Sequence, residues 1–169
     1  MTLDEQTAFL SAEHAEAMRY MDNAKETLRK AGRDGLNYSD PKYVKTACGT
    51  AYNGVLIAMD AWFAIKGIPK PSRKQRKSID YYTYNMAKLD KKMLSNLDMA
   101  YKILHLDGYY DGMVSIKAIE GGFDAAYYII EKIKTENPIE AADSRGNRVK
   151  RFLNGMMISL AAMFTRRLY

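Results

Sequence analysis

"DPKYVKTACGTAYNGVLIAMDAWFAI", residues 40–65, carries both its own start signal and its own buried face. Asp40 is a natural N-cap, because a carboxylate there accepts from the free N–H groups of a first helical turn. Pro41 suits the first helical position, where its missing N–H would be unpaired anyway. Val44, Cys48, Ala51, Val55, Ala58, Trp62 and Ile65 recur at helical spacing and predict one inward stripe. Ala47, Ala51, Gly54, Ala58 and Ala61 keep much of this helix slim, so neighbours can approach closely and the helix is expected to be central. Gly67 and Pro69 then end it.

On the N-terminal side, Leu10, His14, Ala17, Met21, Ala24, Leu28 and Ala31 predict a helix from about Asp4 to Ala31. "AGRDGLNYSD" breaks it, with Gly32 placed to stop it. On the C-terminal side, Ile79, Tyr82, Met86, Leu89, Met93, Leu97, Ala100 and Leu104 predict one long helix from about Ser72 to His105. Tyr109, Gly112, Ile116, Ile119, Phe123, Ala126, Ile130 and Ile133 predict the next, ended by Pro138. No strand alternation stands out. The reading is all-α: an antiparallel up-and-down four-helix bundle over about residues 5–135, a link over about 136–147, and an additional C-terminal helix over about 148–168. With 169 residues, one domain is expected.

Composition narrows the class. Apolar residues make up 47% and charged residues 27%, an ordinary balance for a globular chain. The longest apolar run, "FLNGMMISLAAMF" (152–164), is shorter than the roughly 20 residues of a membrane span. A single cysteine, Cys48, excludes an intrachain disulfide, and the acidic N-terminus lacks the pattern of a secretory signal. A cytoplasmic location is therefore expected. The net charge of +6 is local: "KPSRKQRK" (70–77) holds five bases and "RGNRVKR" (145–151) holds four. Such clusters meet phosphates, acidic proteins or lipid headgroups when they are more than a solvated surface.

"HLDGYYDG" (105–112) is the one stretch where chemistry-bearing residues crowd together. As structure, His105 ends the third helix, Asp107 caps the fourth, Gly108 relieves the turn, and Asp111 lies in the first turn of the fourth helix. As chemistry, His105, Asp107 and Asp111 form a thin ligand set, and an exposed Tyr110 beside Asp111 would line a groove. No HExxH, paired-cysteine or phosphate-cradling glycine motif accompanies them, so no cofactor and no metal is expected.

"AYNGVLIAMDAWFAIKGI" (51–68), "RKQRKSIDYY" (73–82), "LDKKML" (89–94) and "AYKILHLDGYYDG" (100–112) together resemble the HEPN superfamily, and more narrowly a small bacterial branch of it. The resemblance spans about residues 5–135. It implies a helical bundle that is often dimeric, and in many members an RNase carrying an arginine four to six residues ahead of a histidine. Here the positions ahead of His105 are Ala100, Met99 and Asp98, and those ahead of His14 are Phe9, Ala8 and Thr7. The RNase motif therefore has no counterpart. The expectation is a non-catalytic binding or assembly module, a homodimer or a holder of a partner protein. The alternative is RNA or nucleotide binding, with Lys70, Arg73, Lys74, Arg76 and Lys77 on phosphates and Tyr81, Tyr82 and Tyr84 stacking on bases. A divergent RNase pairing His105 with a base such as Lys102 comes third.

Overall fold

A computed structural model describes residues 1–71 and 78–135. They are mostly helical, with α1 (Leu3–Arg29), a hairpin of β1 (Arg33–Asp34) and β2 (Asn37–Tyr38), α2 (Pro41–Ile65), α3 (Ile79–Met86), α4 (Lys91–Ala100), a π-helix (Tyr101–Asp111) and α5 (Ile116–Thr135). The expected link and C-terminal helix, and four of the five bases in the 70–77 run, lie outside the described residues.

Local chemistry explains the boundaries. Thr2 and Glu5 form a capping box: the Glu5 amide donates to Thr2 Oγ1, and the Thr2 amide donates to Glu5 Oε2. Asp40 caps α2 by accepting from the Lys42 amide at 2.9 Å, with Pro41 at the first helical position. Gly32 has φ +65°, the left-handed conformation expected of a helix stop.

The predicted third helix is two helices. Asp90 Oδ1 accepts from the amides of both Lys92 and Met93 at 2.9 Å. That cap starts a fresh helix, so the chain turns over Ala87–Leu89, and Leu89, expected on the inward stripe, is exposed. The second correction concerns residues 105–112. The chain does not turn there. α4 runs directly into the π-helix, which carries His105, Asp107 and Tyr109 through to Asp111. The turn comes at Gly112, at φ +75°, and α5 begins only at Ile116. Tyr109, expected to open the inward stripe of the next helix, is instead 44% exposed on the π-helix, and Asp107 caps no helix; its carbonyl accepts from the amides of Gly112 and Met113 near the end of its own helix.

Packing directions follow from paired contacts. The Asp40 amide donates to the Ala31 carbonyl, while Gly54 lies against Ala17 and Tyr20, so α1 and α2 run antiparallel. Lys45 meets Tyr110 and Gly112, Cys48 meets Gly108, and Tyr52 meets Tyr101, so α2 and the π-helix also run antiparallel. α5 packs on α1, α2, α4 and the π-helix. Of the stripe predicted for α2, all but Ile65 are buried, with Trp62 at 3% exposure and the other five at 0%. The helix predicted to be central touches α1, α4, α5 and the π-helix.

The hairpin, read from sequence only as a break, stitches two connections together. The Tyr38 amide donates to Val114 at 2.8 Å, the Ile116 amide donates to Leu36 at 3.0 Å, and Asn37 bridges to Ser115.

α2 and the π-helix approach each other closely. A Cβ on Gly108 would stand 2.6 Å from Cys48 Sγ and 2.9 Å from the Ile103 carbonyl oxygen. A Cβ on Gly121 of α5 would meet nothing within 4 Å. Gly108→Ala should therefore destabilise by about 1–3 kcal/mol through overpacking. Gly121→Ala should stabilise by about 0.5–1 kcal/mol through lost unfolded-state freedom. Urea denaturation of both variants checks the opposite signs. Burial also pushes the Cys48 thiol up to about 12. In the native protein at pH 8 it should resist a thiol reagent such as DTNB and react fully only in denaturant.

Candidate functional site

Five rings gather where the π-helix crosses α2. His105 lies at their centre: Tyr52 stacks on it at 4.7 Å, Tyr101 at 5.3 Å and Tyr109 at 6.1 Å, and Tyr110 meets it edge-on at 5.1 Å. The winding of the backbone makes this set. In an α-helix, residues five apart lie about 140° round from one another. With i→i+5 bonding they come close to eclipse, so His105 touches its neighbours at i−4, i+4 and i+5 together. Tyr109 and Tyr110 then meet each other at 5.0 Å, nearly perpendicular.

α2 supplies the opposite wall. Gly49 leaves room for the Tyr109 ring, since a Cβ there would stand 2.9 Å from Cδ2. Lys45 Nζ donates to the Tyr110 carbonyl at 3.0 Å, which places a cation on a helix C-terminus with unpaired carbonyls. Thr46, Thr50, Asn53 and Leu56 complete a groove of about 800 Å³ between the two elements. Both threonine hydroxyls donate to carbonyls one turn back, Thr46 to Lys42 and Thr50 to Thr46. Their lone pairs can still accept. Tyr109 and Tyr110 stand at the rim, 44% and 60% exposed.

The electrostatics follow from burial. Desolvation holds His105 below the ordinary histidine range, so the imidazole is neutral at pH 7. Desolvation, with the nearby Tyr101 adding to it, pushes the Tyr52 phenol up, so it keeps its proton. The groove thus offers aromatic faces, hydroxyls, an amide and one cation. Among the described residues, no group of three or more His, Cys, Asp or Glu is placed to hold a metal ion.

The residues expected from sequence divide between two places. His105, Asp107, Tyr110 and Asp111 lie on the π-helix, with His105 and Asp107 half-buried and Tyr110 and Asp111 exposed. Lys70 and Tyr81 lie near the other end of α2. Lys70 is exposed, but Tyr81 packs edge-on against Phe63 and Tyr82, and its hydroxyl donates to the Pro69 carbonyl. Lys45 and Phe63 are 18 residues apart on α2, so the two places stand roughly 27 Å apart at 1.5 Å per residue. Arg73, Lys74, Arg76 and Lys77 fall outside the described residues. Tyr52, Lys45, Gly49, Tyr101 and Tyr109 were missed as site residues. The signal was the spacing of four between Tyr101, His105 and Tyr109, which a supposed turn at Asp107 and Gly108 concealed.

The low His105 pKa sets a pH dependence. The unfolded chain takes up the proton at the ordinary histidine value, about 6.5, before the native state does. Stability is therefore full above that value and falls as pH drops below it, levelling once the folded form also protonates. His105→Phe keeps a ring in the cluster and removes the proton site. Urea midpoints at pH 7.5 and 5.5 should fall further for the native sequence than for the variant. Equal falls would assign the acid sensitivity to other groups.

Residues 12–135 match a family described as a domain of unknown function, DUF5618. A solved structure of a protein of unknown function from Dyadobacter fermentans is 37% identical, with a TM-score of 0.66, and the match covers 80% of this chain and 99% of that one. No curated protein matches. Neither description names HEPN, and neither assigns a ligand to the π-helix groove. The chain belongs to the DUF5618 family.

Proposed function

We propose that this chain is a non-enzymatic helical recognition module that seats a peptide segment of a partner protein in the groove between α2 and the π-helix. The observation that carries this reading is the pair of exposed rings, Tyr109 and Tyr110, held at the rim by a half-buried His105. Tyrosine supplies large contact area at low entropic cost and is enriched at interfaces. Holding both rings against His105 lowers that cost further, because less side-chain freedom remains to be lost on binding. His105 is wrapped by four tyrosine rings, which supports a positioning role for it. Within the same reading, the antiparallel pairs described above support an up-and-down four-helix bundle of HEPN-like type. A bacterial, cytoplasmic, single-domain and homodimeric protein is proposed from the sequence alone.

Binding of RNA is the second reading, and the observation that favours it is the exposed Lys70 at the head of the basic run. The α2–π groove supports it less well. Its lining offers one lysine, already engaged with a carbonyl, whereas phosphate recognition draws its affinity from several cations. Tyr81 and Tyr82 are packed and tied, so they are not free to stack on a base, whereas Tyr84 is 65% exposed with Lys88 over its ring.

Peptides selected from a random library against the full chain should move the amides of residues 45–56 and 101–112 in a ¹H–¹⁵N spectrum. Tyr110→Ser should weaken them at least about tenfold, a loss of about 1.4 kcal/mol, with the melting temperature unchanged. Peptides that map elsewhere would overturn the groove reading. Tight, salt-sensitive binding of single-stranded RNA, with a slope steeper than one phosphate contact gives, would favour the second reading.

A further inference from the structure

A second concavity lies at the hairpin end of the molecule, where the last turn of α1 and the hairpin meet α5. It measures about 560 Å³, within the roughly 300–1,000 Å³ range of small-molecule sites. Leu28, Phe123 and the Tyr127 ring give it apolar surface, and Tyr38 adds a phenol kept protonated by burial.

Charges of both signs line it. Arg33 and Glu120 satisfy each other, with Nη2 to Oε1 at 3.0 Å. Lys25 stands 4.4 Å over the Tyr127 ring. That leaves Arg29 and Asp124 lining the same concavity without an ion pair among the described residues. A ligand bearing only a carboxylate would gain Arg29 and meet Asp124 and Glu120. One bearing only an amine would gain Asp124 and meet Lys25, Arg29 and Arg33. A ligand bearing both charges offers each group a partner and leaves its apolar part for Phe123 and Leu28.

We propose that this concavity binds a free amino acid with an aromatic or large apolar side chain, its carboxylate on Arg29 and its ammonium on Asp124. Arg suits the first task because its guanidinium accommodates a carboxylate in two parallel hydrogen bonds. Both charged groups are solvent-exposed, so they set selectivity, while the apolar walls supply the affinity. This site is separate from the α2–π groove and does not depend on the reading given to it.

The test is a ¹H–¹⁵N titration of the full chain with three probes: L-phenylalanine, 3-phenylpropionate, which lacks the amine, and phenethylamine, which lacks the carboxylate. L-phenylalanine should move the amides of residues 28–33 and 120–127 and bind at least about tenfold tighter than either analogue. Asp124→Asn should abolish the preference over 3-phenylpropionate, and Arg29→Met the preference over phenethylamine, each with an otherwise unchanged spectrum. No response to L-phenylalanine up to its solubility limit would overturn the proposal. So would equal responses to all three probes, or shifts confined to residues 45–56 and 101–112.

Discussion

The structure depends on one close approach, that of the π-helix backbone at Gly108 to Cys48 on α2. No side chain fits between them, since a single Cβ would stand 2.6 Å from the sulfur. Contact at that range fixes both the position and the rotation of the π-helix. Its next residue, Tyr109, then lies over Gly49, where a second missing Cβ leaves room for the ring. One turn back, Ile103 and Leu104 press on Gly122 of α5, where a Cβ would stand 2.6 Å from Ile103 Cγ2. Three glycines on three elements thus let a wide helix sit in a space where interiors are packed to crystal-like density. The slimness of α2 is the other half of the same constraint, because its small residues let α1, α5 and the π-helix all reach it.

α2 was legible because each of its signals is local. Asp40 and Pro41 specify its start within two residues, and its buried face repeats at the spacing of a straight α-helix. The inward faces of α1 and α5 were readable for the same reason, down to Met21 and Ile130. The break at Asp90 had a signal too, but the apolar rhythm continues across it through Met86 and Met93. Periodicity alone does not reveal that Leu89 has left the stripe. The π-helix is harder in principle. Its i→i+5 bonds leave no propensity signature, and two glycines among aspartates and tyrosines imitate a turn. What selects the wider winding is tertiary: the ring stack around His105 and the fit of Gly108 on Cys48.

The candidate site was legible in part. His105 and Tyr110 were singled out from sequence, and the structure puts them side by side. Their partners Tyr52 and Lys45 come from α2, with Lys45 and Tyr110 65 residues apart, and no local pattern links them. The basic run is a different case. Charge clusters stand out in a sequence, yet Tyr81, expected to stack on a base, is committed to Phe63, Tyr82 and Pro69. The mixed-charge concavity by the hairpin drew no attention because it is assembled from α1, the hairpin and α5, each contributing ordinary surface residues.

The stitch between the hairpin and the turn before α5 bears on how this fold tolerates change. Connections between helices are usually where chains accept extra residues, since few contacts constrain them. Here the two connections share backbone hydrogen bonds from Tyr38 to Val114 and from Ile116 to Leu36. An insertion in either would slip the register of both and strip buried Tyr38 of its backbone partner. In mechanical terms this end of the molecule is part of the core: a change of length on one side of the stitch calls for a matching change on the other.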